Sequence, residues 1–112
     1  MNWKKQPRAR IEYTKAARKQ LSFILLYVQS EFGPTVARRV KSNIDHAIST
    51  LSRFHYLGMA IEKHPPYRKL FVGGRNTVVY RVDTEAKPPR IVIAAIYVRG
   101  EDIDLAKMPT DP

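Results

Sequence analysis

Arg68, Lys69, Arg75, Arg81, Tyr97 and Arg99 are the side chains of this sequence with most to offer a chemical site. They fall in or between three strand-like segments, YRKLFV, TVVYRVD and RIVIAAIYVR. Successive residues of a strand point to opposite faces of a sheet. Tyr97 and Arg99 therefore share a face of the last segment, and Thr77, Val79 and Arg81 share a face of the one before it. If Arg81 and Arg99 lie on the same side, the sheet carries a cationic cluster suited to phosphates or carboxylates, because a guanidinium can donate two parallel hydrogen bonds to either. Taken singly, each arginine is better read as the partner of Asp83, Glu85, Glu101 or Asp102. Taken together, they outnumber the acids available to neutralise them.

Other chemistry is sparsely represented. His46 falls on the polar side of a helical pattern, and His55 and His64 fall in a loop, so all three are expected to face solvent; only His64, close before Arg68, stands near the cationic set. Their spacing matches no metal site. Gly73-Gly74 lacks the following Lys and Ser/Thr of a phosphate-binding loop and reads as a turn. The serines have no triad context, and Glu62 and Glu101 make no recognisable carboxylate pair. With no cysteine, disulfides and thiolate nucleophiles are excluded and a reducing cytoplasm is permitted. No metal and no cofactor is expected.

The chain has 112 residues and a formal charge of +10, from 20 Lys and Arg against 10 Asp and Glu. That length suits one domain, residues 1–112, with 1–8 and 108–112 as loose ends. The excess charge is spread along the sequence, which favours a folded basic surface over a basic tail, and it draws in anionic partners. No apolar run is long enough to span a bilayer.

The elements that must position these residues follow from periodicity. Ala9–Tyr13 alternates weakly and reads as a strand, and Thr14 is placed to cap a helix. From Lys15 to Phe32, the residues Ala17, Leu21, Ile24, Leu25, Val28 and Phe32 recur every three or four positions, the stripe of an amphipathic helix. Gly33 ends it and Pro34 opens a second, about Pro34–Leu51, with Val36, Ala37, Val40, Ile44, Ala47, Ile48 and Leu51 as its stripe. Arg53–Pro66 reads as loop, Tyr67–Val72 and Thr77–Asp83 as a hairpin, and Arg90–Arg99 as the central, most buried strand. Glu101–Lys107 reads as one helical turn or a short strand. The fold class is α+β in the order β-α-α-β-β-β: a helical hairpin packed on one face of a small, mainly antiparallel sheet, the other face open or covered by a partner.

The segments IEYTKAARKQL, FGPTVARRV, ISTLSRFHYLGM, YRKLFVGGRNTVVYRVD and IYVRGEDI, in that order, resemble the RelE/ParE superfamily of toxins from bacterial type II toxin–antitoxin pairs. The resemblance covers nearly the whole chain and implies the fold just described. It also implies one of two activities. RelE-like members are ribosome-dependent endoribonucleases that cut mRNA; ParE-like members share the fold, lack the nuclease residues and poison DNA gyrase. In the nuclease branch, Arg68 and Lys69 would match the basic residues of the second strand, and Arg99 the arginine after the last. Thr77 stands where that branch has another arginine, and Leu105 stands where it has an aromatic acid–base. Arginine remains protonated and shuttles protons poorly, so Thr77 and Leu105 leave the set incomplete unless Tyr97 substitutes, and a strand tyrosine more often packs its ring in the core or at an interface. The expectation is therefore a ParE-like toxin, leaning away from an enzyme, that inhibits growth in the cytoplasm by binding DNA gyrase, with Arg68, Arg75, Arg81, Tyr97 and Arg99 as the residues that bind antitoxin or target. It is expected to form a hetero-oligomer with an antitoxin bearing an acidic, partly disordered segment. The alternative is an mRNA endoribonuclease on the ribosome with Arg68, Lys69, Arg81, Tyr97 and Arg99 around the phosphate. A plain nucleic-acid-binding module is a third reading, opposed by the lack of a recognition-type helix.

Overall fold

Two helices lie on one face of a five-stranded sheet in a computed structural model that describes residues 4–98. The elements are β1 (Arg10–Tyr13), α1 (Lys15–Phe32), α2 (Pro34–Leu51), β2 (Met59–Ala60), β3 (Arg68–Val72), β4 (Asn76–Asp83) and β5 (Arg90–Val98). The sheet order is β1-β5-β4-β3-β2. β1 runs parallel to β5 and the other neighbours are antiparallel.

Both helices run where their apolar period predicts. Thr14 caps α1 by accepting the Ala17 N–H at 3.1 Å on its hydroxyl. Gly33, at φ 88°, ends α1 and is followed by Pro34 in the first turn of α2. The stripes meet the sheet: Ala17, Ile24, Val28, Val40, Ile44, Ile48 and Leu51 are buried in one cluster with Val78, Tyr80, Ile91, Ile93 and Ile96. Truncating a residue such as Leu51, which has no exposed surface, costs about 2–5 kcal/mol in comparable cores.

Three readings change. The loop after α2 contains a two-residue strand, β2, in register with β3 through Met59–Lys69 and Ala60–Arg68. β4 is the middle strand of the sheet, whereas β5 beside it is the most buried, with Ile91 to Tyr97 all buried. Phe32 does not join the core but is 53% exposed at the end of α1. Glu101–Lys107 lies outside the described residues.

Along β5 the sheet is irregular. Val79 faces Ala95 while the next residue, Tyr80, faces Ile93, so Ala94 is an extra residue, a β-bulge. β1 ends at Tyr13, opposite Ile93. Beyond that point the β5 backbone is met by side chains: the Thr14 hydroxyl donates to the Ala94 carbonyl (2.9 Å) and Gln20 Oε1 accepts the Ile96 N–H (2.8 Å). The helix is thereby fixed to the sheet at its cap and one turn on.

Candidate partner-binding surfaces

Register decides which of the six candidate residues meet. Residues directly opposite in an antiparallel pair project to one face. Arg68 is opposite Tyr80, which belongs to the helix-side core. Lys69 is opposite Val79, Phe71 opposite Thr77, and Thr77 opposite Tyr97. Lys69, Arg81 and Tyr97 therefore share the face away from the helices, and Arg68 is on the other. Arg75 sits in the turn between β3 and β4, its guanidinium 5.3 Å from the Phe32 ring centre. Arg99 lies outside the described residues.

Arg68 is structurally committed. Its Nε donates to the Gly58 carbonyl (3.0 Å), a second nitrogen reaches the Tyr56 carbonyl (3.4 Å), and the guanidinium lies 5.3 Å from the Tyr56 ring centre. Gly58 is locked in turn. Its N–H donates to the Tyr80 hydroxyl (2.9 Å), which donates to the His55 carbonyl (2.8 Å). A Cβ at Gly58 would stand 2.7 Å from the Lys69 carbonyl oxygen and 2.8 Å from a Tyr80 ring carbon, so only glycine fits. The same network corrects the reading of His55. It is buried, with its Nε2 3.2 Å from the Ser52 carbonyl and its backbone N–H donated to Gln6 Oε1, because the loop after α2 is held against Ser52 and the segment before β1. His46 and His64 are exposed, as expected.

The face away from the helices is not an open cationic plane. Its centre is a second buried apolar cluster, Val79, Ala94, Ala95 and Tyr97, with Ile61 and Tyr67 packed against it. At the β1 end lies an ion-paired row: Arg90 donates to Asp83 (2.7 Å) and to Glu12 (3.0 Å), and Arg10 stands 3.6 Å from Glu12. The hydrogen bond from Arg90 holds the Asp83 carboxyl below the usual carboxylate range, and both acids raise the Arg90 guanidinium above its ordinary value. Arg90, which the sequence did not single out, takes the acids that seemed available to its neighbours. Burial pushes the Tyr80 phenol up, and burial followed by the charge of Asp45 does the same to Tyr13. Among the described residues no group of three histidine or acidic side chains is placed to hold a metal, and no helix is long and apolar enough to cross a membrane.

A further surface escaped the sequence reading. Phe23, Leu26 and Tyr27 are 72%, 69% and 54% exposed on the outer side of α1. Beside them a cleft of about 370 Å³ runs between α1 and the end of β5, lined by Lys19, Gln20, Phe23, Ile24, Ile96 and Val98. The signal was present: positions 23, 26 and 27 repeat the three-and-four spacing outside the main stripe, so α1 is apolar on two sides. Contiguous exposed apolar surface of this kind marks interaction sites.

Comparison with known proteins agrees with this architecture. No curated protein matches the chain. Among solved structures, a chain of the chromosomal ParDE toxin–antitoxin system from P. aeruginosa superposes with a TM-score of 0.67 at 20% identity, covering 81% of this chain and 96% of that one. At that identity the likeness speaks for the fold. The sequence pattern described as the ParE toxin of the type II toxin–antitoxin system parDE matches residues 11–103, from β1 to beyond β5. Two helices on a mostly antiparallel sheet, reached in the same chain order and across most of the length, leave one conclusion: this chain belongs to the ParE toxin family of type II toxin–antitoxin systems.

Proposed function

We propose that the chain is a growth-inhibiting toxin that acts in the cytoplasm by binding DNA gyrase and is held inactive by a cognate antitoxin. Family membership supports the toxin class. The observation that favours binding over RNA cleavage is the separation of the nuclease candidates: Arg68 is spent on the Gly58 and Tyr56 carbonyls on one side of the sheet, while Lys69, Arg81 and Tyr97 are on the other. Cleavage through a ribose 2′-hydroxyl needs a proton acceptor, a proton donor and charge stabilisation converging on one phosphate, and among the described residues Arg68 does not converge with Lys69, Arg81 and Tyr97. The exposed apolar stripe of α1 and its cleft suit the antitoxin. A segment with leucine-like side chains on one side and acids on the other would cover Phe23, Leu26 and Tyr27 while facing a toxin of charge +10.

The decisive experiment is plasmid supercoiling by purified gyrase with the free toxin added. Inhibition that is relieved by antitoxin supports the reading. Unimpaired supercoiling together with codon-linked cuts in a primer-extension assay would replace it with ribosome-dependent mRNA cleavage, for which the shared face of Lys69, Arg81 and Tyr97 would be the place to look.

A further inference from the structure

Where the hairpin of helices meets the β3–β4 turn, the molecule has a small cationic cleft that joins Arg75 to a wall of α2 which the proposed function leaves unassigned. Val36, Arg39, Val40 and Asn43 recur at helical spacing and form the α2 wall; Gly73 and Arg75 come from the turn. The cleft holds about 170 Å³. Gly73, at φ 62°, brings the turn close enough that a Cβ there would lie 3.3 Å from Asn43 Nδ2, so the two walls are in register. Arg75 is held from behind by the Phe32 ring, which restricts its guanidinium before any ligand arrives. Among the described residues, no acidic side chain lines the cleft. Elsewhere some cations are neutralised, Arg90 by Asp83 and Glu12, and Lys41 by Asp45 at 2.6 Å. Here two guanidiniums flank a site with no acid among its described lining residues.

We infer that this cleft captures the carboxylate of an acidic side chain presented by the antitoxin, Arg39 and Arg75 gripping the charge while Val36 and Val40 pack its apolar neighbour. The partner's identity rests on the toxin–antitoxin reading above; the carboxylate chemistry rests on the cleft. Its volume is below the roughly 300–1,000 Å³ of sites that enclose small-molecule ligands, so it admits one side chain and excludes a nucleotide. Its valine wall argues against a phosphate backbone, which carries charge along an open track and brings no apolar group to each contact. A glutamate or aspartate beside a leucine or valine satisfies both halves.

The test uses the full chain, separated from its antitoxin and then titrated with it by calorimetry. Removing both guanidiniums in Arg39→Ala/Arg75→Ala should weaken binding about 10- to 100-fold, the range expected for hydrogen bonds to a charged group. Arg75→Lys should recover part of the loss, since it keeps the charge and gives up the fork. Arg38→Ala removes a neighbouring cation that donates to Thr35 and stands outside the cleft; it should change affinity less than about twofold, as an exposed charge does. In parallel, NMR of the arginine Nε–H signals should show Arg39 and Arg75 shifting with a blocked Glu-Leu-Glu-Leu peptide and not with inorganic phosphate or a single-stranded oligonucleotide. Wild-type affinity in the double variant overturns the inference, as does a response to phosphate or oligonucleotide alone. If the unaltered chain fails to bind the antitoxin, the toxin–antitoxin reading falls, and the peptide titration still decides what the cleft takes.

Discussion

Replacing Tyr80 by phenylalanine removes one oxygen and should unfasten the loop that aims Arg68. The hydroxyl has no exposed surface; it donates to the His55 carbonyl at 2.8 Å and accepts the Gly58 N–H at 2.9 Å. Phenylalanine fills nearly the same volume, so the cost is electrostatic: a buried donor and a buried acceptor lose their partner at once. Each such orphan costs about 1–3 kcal/mol. Allowing for some relaxation of the loop, the total is about 2–4 kcal/mol. At about 4 °C per kcal/mol for a domain of this size, the melting temperature should fall by about 8–16 °C. Alkaline pH gives an independent readout. Burial raises the Tyr80 phenol, so the folded chain keeps this proton at pH values where the unfolded chain, near pH 10, gives it up. That contribution is complete below about pH 10 and is lost as pH climbs through the folded value. Wild-type stability should decline steeply along this limb and Tyr80→Phe less steeply, the remainder coming from Tyr13. Tyr27→Phe, altering an exposed phenol on α1, is the control. Calorimetric melts within about 2 °C of wild type, or superimposable alkaline limbs, would refute the claim that this hydroxyl secures the loop.

Other outcomes follow from the same structure. Gly58→Ala should destabilise by about 1–3 kcal/mol or more, because the added methyl meets backbone and a buried ring; chemical denaturation measures it. Asp83→Asn should flatten the acid limb of stability. The Asp83 carboxyl is depressed in the folded state, so its contribution is present above about pH 4 and lost as pH falls through the folded value; urea midpoints between about pH 6 and 2 test this. Thr14→Val should cost about 2 kcal/mol, losing both the α1 cap and the bond to Ala94. Phe23→Ser/Leu26→Ser should leave the melting temperature within about 2 °C yet weaken antitoxin capture at least about 100-fold, from about 1.5–3 kcal/mol of apolar burial at each position.

The helices were legible almost to the residue because their signals are local: a threonine cap, a three-and-four period, a glycine and a proline between them. β2 was not, since two residues cannot display an alternation and it exists only by pairing with Lys69 and Arg68. The charge of the surface was plain from composition, but its distribution was not. Arg68 and Arg81 part company through the register of β3 on β4, and the bulge at Ala94 shifts the alternation of β5 midway, so neither face could be assembled by counting along the sequence. Arg90 was overlooked because its partners, Asp83 and Glu12, are brought together by strands far apart in the chain. Arg39 lies outside the apolar stripe of α2, and only the approach of the β3–β4 turn gives it a neighbour in Arg75.

The pairing of β1 with β5 has a temporal consequence. Tyr13 waits for Ile93, a separation of most of the chain, and until that strand exists Thr14 has no Ala94 carbonyl to hold and Gln20 no Ile96 amide. Contacts between such distant residues are reached late and slowly in folding. During synthesis the first strand therefore emerges without its mate, and the sheet closes only once β5 has been made. For the toxin proposed above, the sheet stays incomplete until β5 emerges, which leaves an interval in which an inhibitor already at hand can meet the unfinished chain.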